Sequence, residues 1–541
     1  MADSNTAALS RRAGGTWRPG HNRWAIAGTV TIATSMELLD SSIVNIALPS
    51  IAGSLSVAQD QSTWVLTAYL ISSAIVIPLS GWLAFRLGRK RYYMGSVTGF
   101  TISSLLCGLA PDLRFLILFR VLQGAAGGGL GPSEQSILVD TFPRRTAIAF
   151  AVYGMVIVLA PTLGPTLGGY ITDHFGWRWI FFINVPIGFI SLYLSNRMIA
   201  DPPYMRTSRF SAARIDYTGL ALLAVGLGSL QVVLNRGPRL DWFQSGIIVA
   251  LTSLAGFALI TVLIWERHQH NPILELKLFR YRNFAIAFVM MGVLAAMLYG
   301  TLLMIPEFLQ LMLDFSAEQA GAVLWPTVLA IVPLLLVIAL LLSYVDARVL
   351  IVLGFLITSF SIFHVVHKLT LSIDSMNATM FVVYEAAGLT FLFVPITTLA
   401  YTRVPREENN AISSLLNFSR NIGGSFGICF VTTELTRRAQ YHQSVLTSQA
   451  TLYNPHLHSF VADYYQMLRN SGAGSSEAFK LASGNLYHTV IRQAVVLSYI
   501  DTFWILGVIT LFTTALAFFM LPDKRRRASG ALGVMANVAS H

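Results

Sequence analysis

The chain has 541 residues, of which 54% are hydrophobic and only 12% are charged, and its mean hydropathy is +0.61. This composition excludes a water-soluble globular protein. The net charge of +11 does not indicate a nucleic-acid partner, because the positive residues lie in short runs between apolar stretches, as in multi-pass membrane proteins.

Apolar runs of about 18 residues or more predict fourteen transmembrane helices, so we expect an all-α polytopic fold in a lipid bilayer. Residues 1–23 are polar, and we expect a cytoplasmic tail there rather than a cleaved signal peptide. Lys and Arg concentrate in alternate connections, which places both termini in the cytoplasm. The predicted spans are 25–46, 63–84, 92–110, 113–138, 147–171, 179–199, 216–235, 244–265, 284–311, 319–343, 348–368, 378–402, 411–435 and 497–521.

Two longer, charged connections, 200–215 and 266–283, divide the spans into six, two and six. We therefore predict a six-helix bundle with a cytoplasmic tail (1–200), two additional transmembrane helices (201–270) and a second six-helix bundle (271–541). The second bundle contains a polar segment, 436–496, in which apolar residues recur at helical spacing. Because long loops of this kind are usually functional or disordered, we interpret it as an ordered periplasmic docking element.

Three charged side chains lie deep within the predicted spans, where an unpaired charge costs about 3 kcal/mol on insertion scales. Glu37 and Asp40 share one face of the first span, and Arg120 lies in the fourth span at the depth of Asp40. We predict an Asp40–Arg120 ion pair whose weakening, on protonation of a first-span carboxylate, switches the protein between inward- and outward-facing states. The alternative is a static ion pair that holds two helices together.

The second predicted bundle contains further buried polar groups. Glu385 is a candidate for proton coupling, because it lies deep in its span and has no cation nearby in the sequence. Arg420 would attract an anionic substrate or pair with a carboxylate of another helix. The candidate substrate-binding residues are Glu307, Gln310, Tyr299, Gln123, Asn45, Arg420 and Asn417, and each is also suited to a helix–helix hydrogen bond.

Other residues have simpler interpretations. We expect Glu134 and Asp140 to interact with the nearby Arg144 and Arg145. The two cysteines lie in apolar runs, so neither a disulfide nor a metal site is expected. The sequence has no G-x-x-x-x-G-K-[ST] loop, so we expect no ATP and no other cofactor.

The fifth predicted span contains the run A-P-T-L-G-P-T-L-G-G at residues 160–169. Its small residues recur every four positions, which lets a neighbouring helix approach closely, and its prolines bend the helix. We expect this face to rock against a partner helix during a conformational change, and a plain packing helix is the alternative. The face comprises Pro161, Gly164, Pro165, Gly168 and Gly169.

Several motifs resemble those of one transporter family. The first span has L-L-D-S-S-I-V-N-I-A-L-P, the fourth R-V-L-Q-G-A-A-G-G-G, and the fifth G-P-T-L-G-G followed by F-G-W-R-W-I-F-F-I-N-V-P-I-G. The second half has N-F-S-R-N-I-G-G-S-F-G. Together they resemble the major facilitator superfamily, in particular its fourteen-helix drug:proton antiporters and their EmrB-type pumps. The loop with Arg86, Gly88 and Arg89 reads G-W-L-A-F-R-L-G-R, in which Phe85 stands where that family usually has an aspartate.

The resemblance implies a proton-driven antiporter that exports hydrophobic or amphiphilic drugs across a bacterial inner membrane, and no enzymatic activity. It also implies a periplasmic adaptor protein and a TolC-type outer-membrane channel as partners, and a proton-coupling role for Arg120. The charge-relay role of the family's loop aspartate has no counterpart at Phe85. The alternatives are a nutrient symporter, an exporter of one endogenous metabolite or fatty acid, and a polytopic membrane enzyme, for which the H-x-x-H run at His364 to His367 is the sole hint.

Overall fold

The structure, a computed structural model, describes residues 20–143, 145–202, 216–269, 272–315, 317–371, 375–449, 455–472 and 474–522. Within these ranges the chain is helical and contains no β-strand. The α-helices longer than four residues are, in chain order, α1 (Arg23–Ser54), α2 (Trp64–Leu87), α3 (Arg89–Gly108), α4 (Leu113–Gly127), α5 (Leu130–Thr141), α6 (Thr146–Phe175), α7 (Asn184–Met198), α8 (Tyr217–Arg236), α9 (Gly246–His268), α10 (Arg282–Met312), α11 (Ala317–Leu341), α12 (Ala347–Lys368), α13 (Ser375–Ala400), α14 (Asn409–Gln449), α15 (Pro455–Asn470) and α16 (Ser475–Phe518). Two four-residue helical turns, Gln59–Ser62 and Trp179–Phe182, precede α2 and α7.

Each predicted span falls on one or two of these helices, and α1, α14 and α16 extend well beyond the spans predicted in them. In the described part of the chain, nine segments are long and apolar enough to cross a membrane: Trp64–Leu87, Leu113–Thr141, Trp179–Met198, Tyr217–Leu240, Gly246–His268, Arg282–Met312, Ala347–Lys368, Met376–Ala400 and Ser475–Phe518. The other five predicted spans lie in α1, α3, α6, α11 and α14. Ser, Thr, Asn and charged side chains lower the hydropathy of α1, α3 and α14, so the number fourteen stays a prediction.

The fourth predicted span is interrupted between α4 and α5, at Gly128 and Gly129. A Cβ atom at Gly128 would lie 2.9 Å from the carbonyl oxygen of Ser73 on α2, and one at Gly129 would lie 2.3 Å from the hydroxyl of Tyr92 on α3. Glycine is therefore required where the chain passes this close to two neighbouring helices, and a run of glycines also weakens the helix.

The helices before and after the α8–α9 pair form an N-terminal group, α1–α7, and a C-terminal group, α10–α16. In the first group α1 packs on α6 and α2 packs on α4, whereas in the second α10 packs on α14 and α12 packs on α13 and α16. The groups meet along α2 and α14 and along α6 and α11. Because α8 packs on α9 and α2 and also contacts α14, the additional pair lies beside this junction.

One end of the two groups, which we call the basic end, carries Arg89 and the basic residues around it. The start of α3, the end of α5 and the start of α14 meet there, since Asp140 contacts both Arg89 and Asn409. At the opposite end, the guanidinium of Arg178 donates a hydrogen bond to the carbonyl of Ala110 at 3.2 Å.

The helices α14 and α16 extend beyond the opposite end. They have 41 and 44 residues, which correspond to about 61 and 66 Å, roughly twice the thickness of a hydrocarbon core. His442 on α14 lies 2.8 Å from the carboxylate of Asp501 on α16, and α15 packs on α16. The predicted segment 436–496 is therefore helical where the structure describes it, and we call it the helical extension. Its docking role stays a prediction.

The contact between α10 and α14 depends on glycine. A Cβ atom at Gly423 would lie 2.3 Å from the carbonyl oxygen of Gly292, and one at Gly427 would lie 2.3 Å from that of Ala296. The two backbones touch at these positions, as in small-residue packing of membrane helices.

We therefore expect Gly427→Ala to push α14 away from α10 and to destabilise the protein by about 1–3 kcal/mol, the usual cost of overpacking. Thermal unfolding of the purified protein in detergent measures this effect. Gly256→Ala is the matched control, because Gly256 lies inside α9 with no atom within 4 Å of its Cβ position. Equal unfolding temperatures for the two variants would contradict the close helix contact.

Candidate functional site

Asp40 and Arg120 form a buried ion pair inside the N-terminal group. The Nη1 atom of Arg120 lies 2.6 Å from Oδ2 of Asp40, and both side chains are fully buried. Arg120 also donates through Nε to the carbonyl of Val65 at 3.1 Å, and its guanidinium lies over the ring of Tyr69 at 4.3 Å. The predicted pairing of Asp40 with Arg120 is therefore confirmed.

Two amides complete the shell around the Asp40 carboxylate. Gln123 accepts a hydrogen bond from Arg120 at 2.7 Å and donates one to Oδ1 of Asp40 at 3.0 Å. Asn184 donates to the same oxygen at 2.7 Å and to the hydroxyl of Ser104 at 3.0 Å. Asn184 and Ser104 were not predicted as members of this site, although Asn184 lies in the motif F-I-N-V-P. Gln123 thus contacts the ion pair and has no open position for a substrate.

A second polar cluster lies between the two groups. Arg420 on α14 donates to the hydroxyl of Tyr153 on α6 at 3.1 Å, and this hydroxyl donates to Asn417 at 2.8 Å. Asn417 in turn donates to Gln135 on α5 at 2.7 Å. Arg420 and Asn417 therefore connect the C-terminal group to the N-terminal group near the centre of the molecule.

Two carboxylates of the N-terminal group lie near this cluster. Glu37 is half-buried and accepts a long hydrogen bond, 3.4 Å, from the hydroxyl of Tyr69, the residue that also contacts Arg120. Glu134 is fully buried and accepts a hydrogen bond from Thr31 on α1 at 2.9 Å. The positive charge of Arg420 acts on both carboxylates across the junction.

The structure gives Glu134 and Asp140 partners on neighbouring helices. Asp140 pairs with Arg89 at 2.7 Å, whereas Glu134 bonds to Thr31. Nearness in sequence did not indicate these two partners. Arg144 lies outside the described residues, so the expected interaction with it stays a prediction.

Asp140 also joins the two groups at the basic end. Its second oxygen accepts a hydrogen bond from Asn409 on α14 at 3.0 Å, and the hydroxyl of Ser136 donates to Asn410. The hydroxyl of Ser414 donates to two carbonyls of α2 at 2.7 and 2.9 Å. We call this set of contacts the basic-end latch, because it holds the start of α14 against α2 and α5.

The loop between α2 and α3 positions Arg89 for the latch. Gly88 adopts a positive φ of 89° between the two helices, a backbone conformation that favours glycine. Arg86 lies over the ring of Trp82 at 5.2 Å, and Phe85 is 42% exposed.

The carboxylate of Glu385 lies inside the C-terminal group. It is 3% exposed, and its Oε1 atom has no hydrogen-bond partner among the described residues. Phe381, one helical turn away on α13, lines a small apolar cavity together with Ile305 of α10. The deep position predicted for Glu385 is thus observed, and its proton-coupling role stays a prediction.

The remaining candidates for substrate binding are not gathered into one place. Tyr299 packs on Gly424, where a Cβ atom would lie 2.6 Å from its ring. Glu307 is half-buried, and Asn45 is exposed on α1. Gln310 is exposed and donates to the carbonyl of Pro306 on its own helix at 3.2 Å.

The glycine face of the fifth predicted span contacts α1. A Cβ atom at Gly164 would lie 2.2 Å from the hydroxyl of Ser42, and one at Gly168 would lie 3.0 Å from the side chain of Ile43. Gly169 faces open space. The side chains of Pro161 and Pro165 lie outside the described part of the structure. The close approach of α6 to α1 follows from the two buried glycines.

Two acids lie outside the membrane-spanning helices at the basic end. Burial raises the pKa of Glu275, and the negative charge of Glu408 raises it further. Burial and the neighbouring Glu407 raise the pKa of Glu408, while Lys277 opposes both shifts. Because the pKa of each acid is higher in the folded than in the unfolded protein, the folded protein binds the protons of Glu275 and Glu408 more tightly. The connections before α10 and α14, which carry these acids, therefore pack less stably as the pH rises.

Comparison with known proteins agrees with this architecture. Residues 30–428 match the family model described as Major Facilitator Superfamily. The chain is 35% identical to the "Multidrug export protein EmrB" of Escherichia coli (strain K12) over 496 residues, which are 91% of this chain and 94% of that protein. It is 34% identical to the "Fatty acid resistance protein FarB" of Neisseria gonorrhoeae over 467 residues, or 86% of this chain and 90% of that protein.

Two solved structures share the fold at low sequence identity. The proton:xylose symporter XylE is 13% identical, with a TM-score of 0.57 over 93% of this chain and 96% of its own. The human organic anion transporter MFSD10 is 12% identical, with a TM-score of 0.55 over 91% of this chain and 100% of its own. Because the family model covers most of the chain and the similarity to EmrB extends over nearly all of it, this multi-pass membrane protein belongs to the major facilitator superfamily.

Proposed function

We propose that this protein exports hydrophobic or amphiphilic drugs across the bacterial inner membrane in exchange for protons. The observation that carries this proposal is a set of buried carboxylates inside a chain that is 35% identical to a multidrug export protein. Buried acids in membrane helices commonly mark proton pathways, because an ionised carboxylate is costly at that depth.

The proposed architecture has fourteen membrane spans, arranged as two six-helix bundles and one additional pair. The N-terminal group and the C-terminal group correspond to the two bundles, with both termini in the cytoplasm. The abundance of Lys and Arg at the basic end supports a cytoplasmic position for that end. The basic-end latch would then close the protein towards the cytoplasm.

The residues have proposed roles in this scheme. Asp40, Glu37, Arg120 and Glu385 take part in proton coupling, and Gln123 holds the ion pair in place. The residues that contact the substrate or its path are Glu307, Gln310, Tyr299, Asn45, Arg420 and Asn417. Arg420 and Asn417 bond to residues of the N-terminal group across the junction, which supports their position on the substrate path. The glycine face of α6 allows it to move against α1 as the two groups rock.

A fatty-acid exporter is the second candidate, and Arg420 favours it. Among the described residues, no carboxylate lies within 4.0 Å of this guanidinium, which is only partly buried. An arginine in this position is suited to bind the carboxylate of an amphiphile. The similarity to a fatty acid resistance protein supports the same substrate class.

Transport by purified protein in proteoliposomes tests the proposal. We expect an inward-directed proton gradient to drive the exit of ethidium, oleate or both, with protons moving in the opposite direction. Asp40→Asn should lower this exchange at least about tenfold, because a buried Arg120 without its carboxylate is destabilised by about 3–5 kcal/mol.

Asp314→Asn is the control for this experiment, since Asp314 is 84% exposed at the opposite end. The control should exchange protons at the rate of the unsubstituted protein. If a proton gradient moved neither probe, the proposed exchange would be wrong. If Asp40→Asn exchanged protons normally, the coupling role of Asp40 would be wrong while the transport function stood.

We further propose that the protein is the pump of a tripartite system and that its helical extension docks a periplasmic adaptor, which contacts a TolC-type outer-membrane channel. Exposed apolar side chains on the extension support this role, because such residues are enriched at protein interfaces. Phe460 and Met467 on α15 and Phe479 on α16 are 39%, 55% and 60% exposed.

We expect the triple substitution of Phe460, Met467 and Phe479 by Ser to abolish co-purification of the adaptor while transport in proteoliposomes continues. Serine substitution of Phe257 and Ile260, which are exposed on α9, is the matched control. An adaptor complex that survives the triple substitution would show that docking takes place elsewhere.

A further inference from the structure

Glu134 is a buried acid to which the proposal above gives no role. It is 0% exposed, and a single hydroxyl, that of Thr31, donates to its Oε1 atom at 2.9 Å. Its Oε2 atom has no hydrogen-bond partner among the described residues, and Thr34 lies beside the same carboxyl. A buried carboxylate with so few partners needs a proton or a nearby positive charge.

The positive charge that acts on Glu134 comes from the other helix group. Gly131 lies three residues before Glu134, on the same face of α5. The Nη2 atom of Arg420 is 3.6 Å from the Cβ position of Gly131, so the guanidinium lies against α5 about one turn from Glu134.

This arrangement differs from that of Asp40 and Arg120. Asp40 and Arg120 both belong to the N-terminal group, as do Gln123 and Asn184, so separation of the two groups leaves their contacts intact. The attraction between Glu134 and Arg420, by contrast, crosses the junction. Its strength therefore depends on how far apart the two groups lie.

We propose that Glu134 binds the exchanged proton, and that the loss of its charge releases Arg420 and lets the basic ends of the two groups separate. This inference rests on the proton exchange proposed above. In the closed arrangement, the ionised carboxylates of Glu134 and Glu37 attract Arg420 and support the basic-end latch. A proton from the outer solution neutralises Glu134, the basic end opens, and the proton then leaves to the cytoplasm as substrate binds.

Other titratable groups lie on the helices that pack against α5. Those that face the Glu134 carboxyl are Glu37 on α1, Tyr93 on α3, Tyr153 on α6 and Arg420 on α14. Three further ionisable groups near the ion pair and the latch have partners of their own: Arg120 of α4 pairs with Asp40, Arg89 of α3 pairs with Asp140, and Tyr69 of α2 bonds to Glu37.

Spin labels at the basic end test the inference without any substrate. Leu87 at the end of α2 is 49% exposed and Glu407 before α14 is also exposed, so cysteines at both positions accept labels. We expect double electron–electron resonance to give a short distance at alkaline pH and a longer one at acidic pH. In Glu134→Gln the long distance should predominate at every pH, because the neutral amide cannot attract Arg420. Arg420→Gln should give the same result.

Glu266→Gln is the matched control, since Glu266 is an equally buried acid on α9, outside both groups. It should keep the pH dependence of the labelled parent protein. Glu134→Asp retains the negative charge, so this variant should also retain the pH dependence. That result would show that the site tolerates substitution. If Glu134→Gln retained the pH dependence, or if the labelled parent protein had none, the inference would be wrong. Failure of the proposed proton exchange is recognised separately, by the vesicle experiment.

Discussion

A charge buried at membrane depth is stable only when an opposite charge and hydrogen-bond partners surround it. The Asp40–Arg120 pair meets this requirement, and much of the N-terminal group is arranged around it. Arg120 reaches α2 through the carbonyl of Val65, while Asp40 accepts from the amide of Asn184 at the start of α7. Four helices are thereby fixed relative to one another at one point.

The contacts between the two groups have a different character. They include polar side chains that reach across the junction, such as Asn417 to Gln135 and Asn409 to Asp140, beside apolar contacts such as that of Tyr153 with Phe393. Hydrogen bonds of this kind contribute about 1 kcal/mol each and can be exchanged for water when the junction opens. Strong contacts inside each group and exchangeable contacts between them are what a rocking motion of two bundles requires.

The sequence was sufficient to predict the helices and the Asp40–Arg120 pair, for identifiable reasons. Apolar runs of bilayer length have few alternative structures, and matching depth in two helices left Asp40 and Arg120 as natural partners. The partners of Glu134 and Asp140 could not be predicted in the same way. They depend on how α5 packs on its neighbours after the interruption at Gly128 and Gly129, where the chain lies in close contact with α2 and α3.

Asn184 illustrates a second limit of sequence reasoning. Its amide lies at the start of α7 and reaches Asp40 because a short helical turn, Trp179–Phe182, packs against α3. Nothing in the spacing of residues specifies that packing. The candidate substrate residues show the same limit, since Gln310 and Asn45 are both exposed and lie apart from Tyr299 and Arg420.

Asp140 joins two elements at the basic end. Its carboxylate accepts from Arg89 with one oxygen and from Asn409 with the other. One carboxylate therefore orders the loop before α3 and holds the start of α14. Since α14 also carries Arg420, the latch and the charge facing Glu134 move together. Opening of the basic end must then change the electrostatic environment at the centre of the junction.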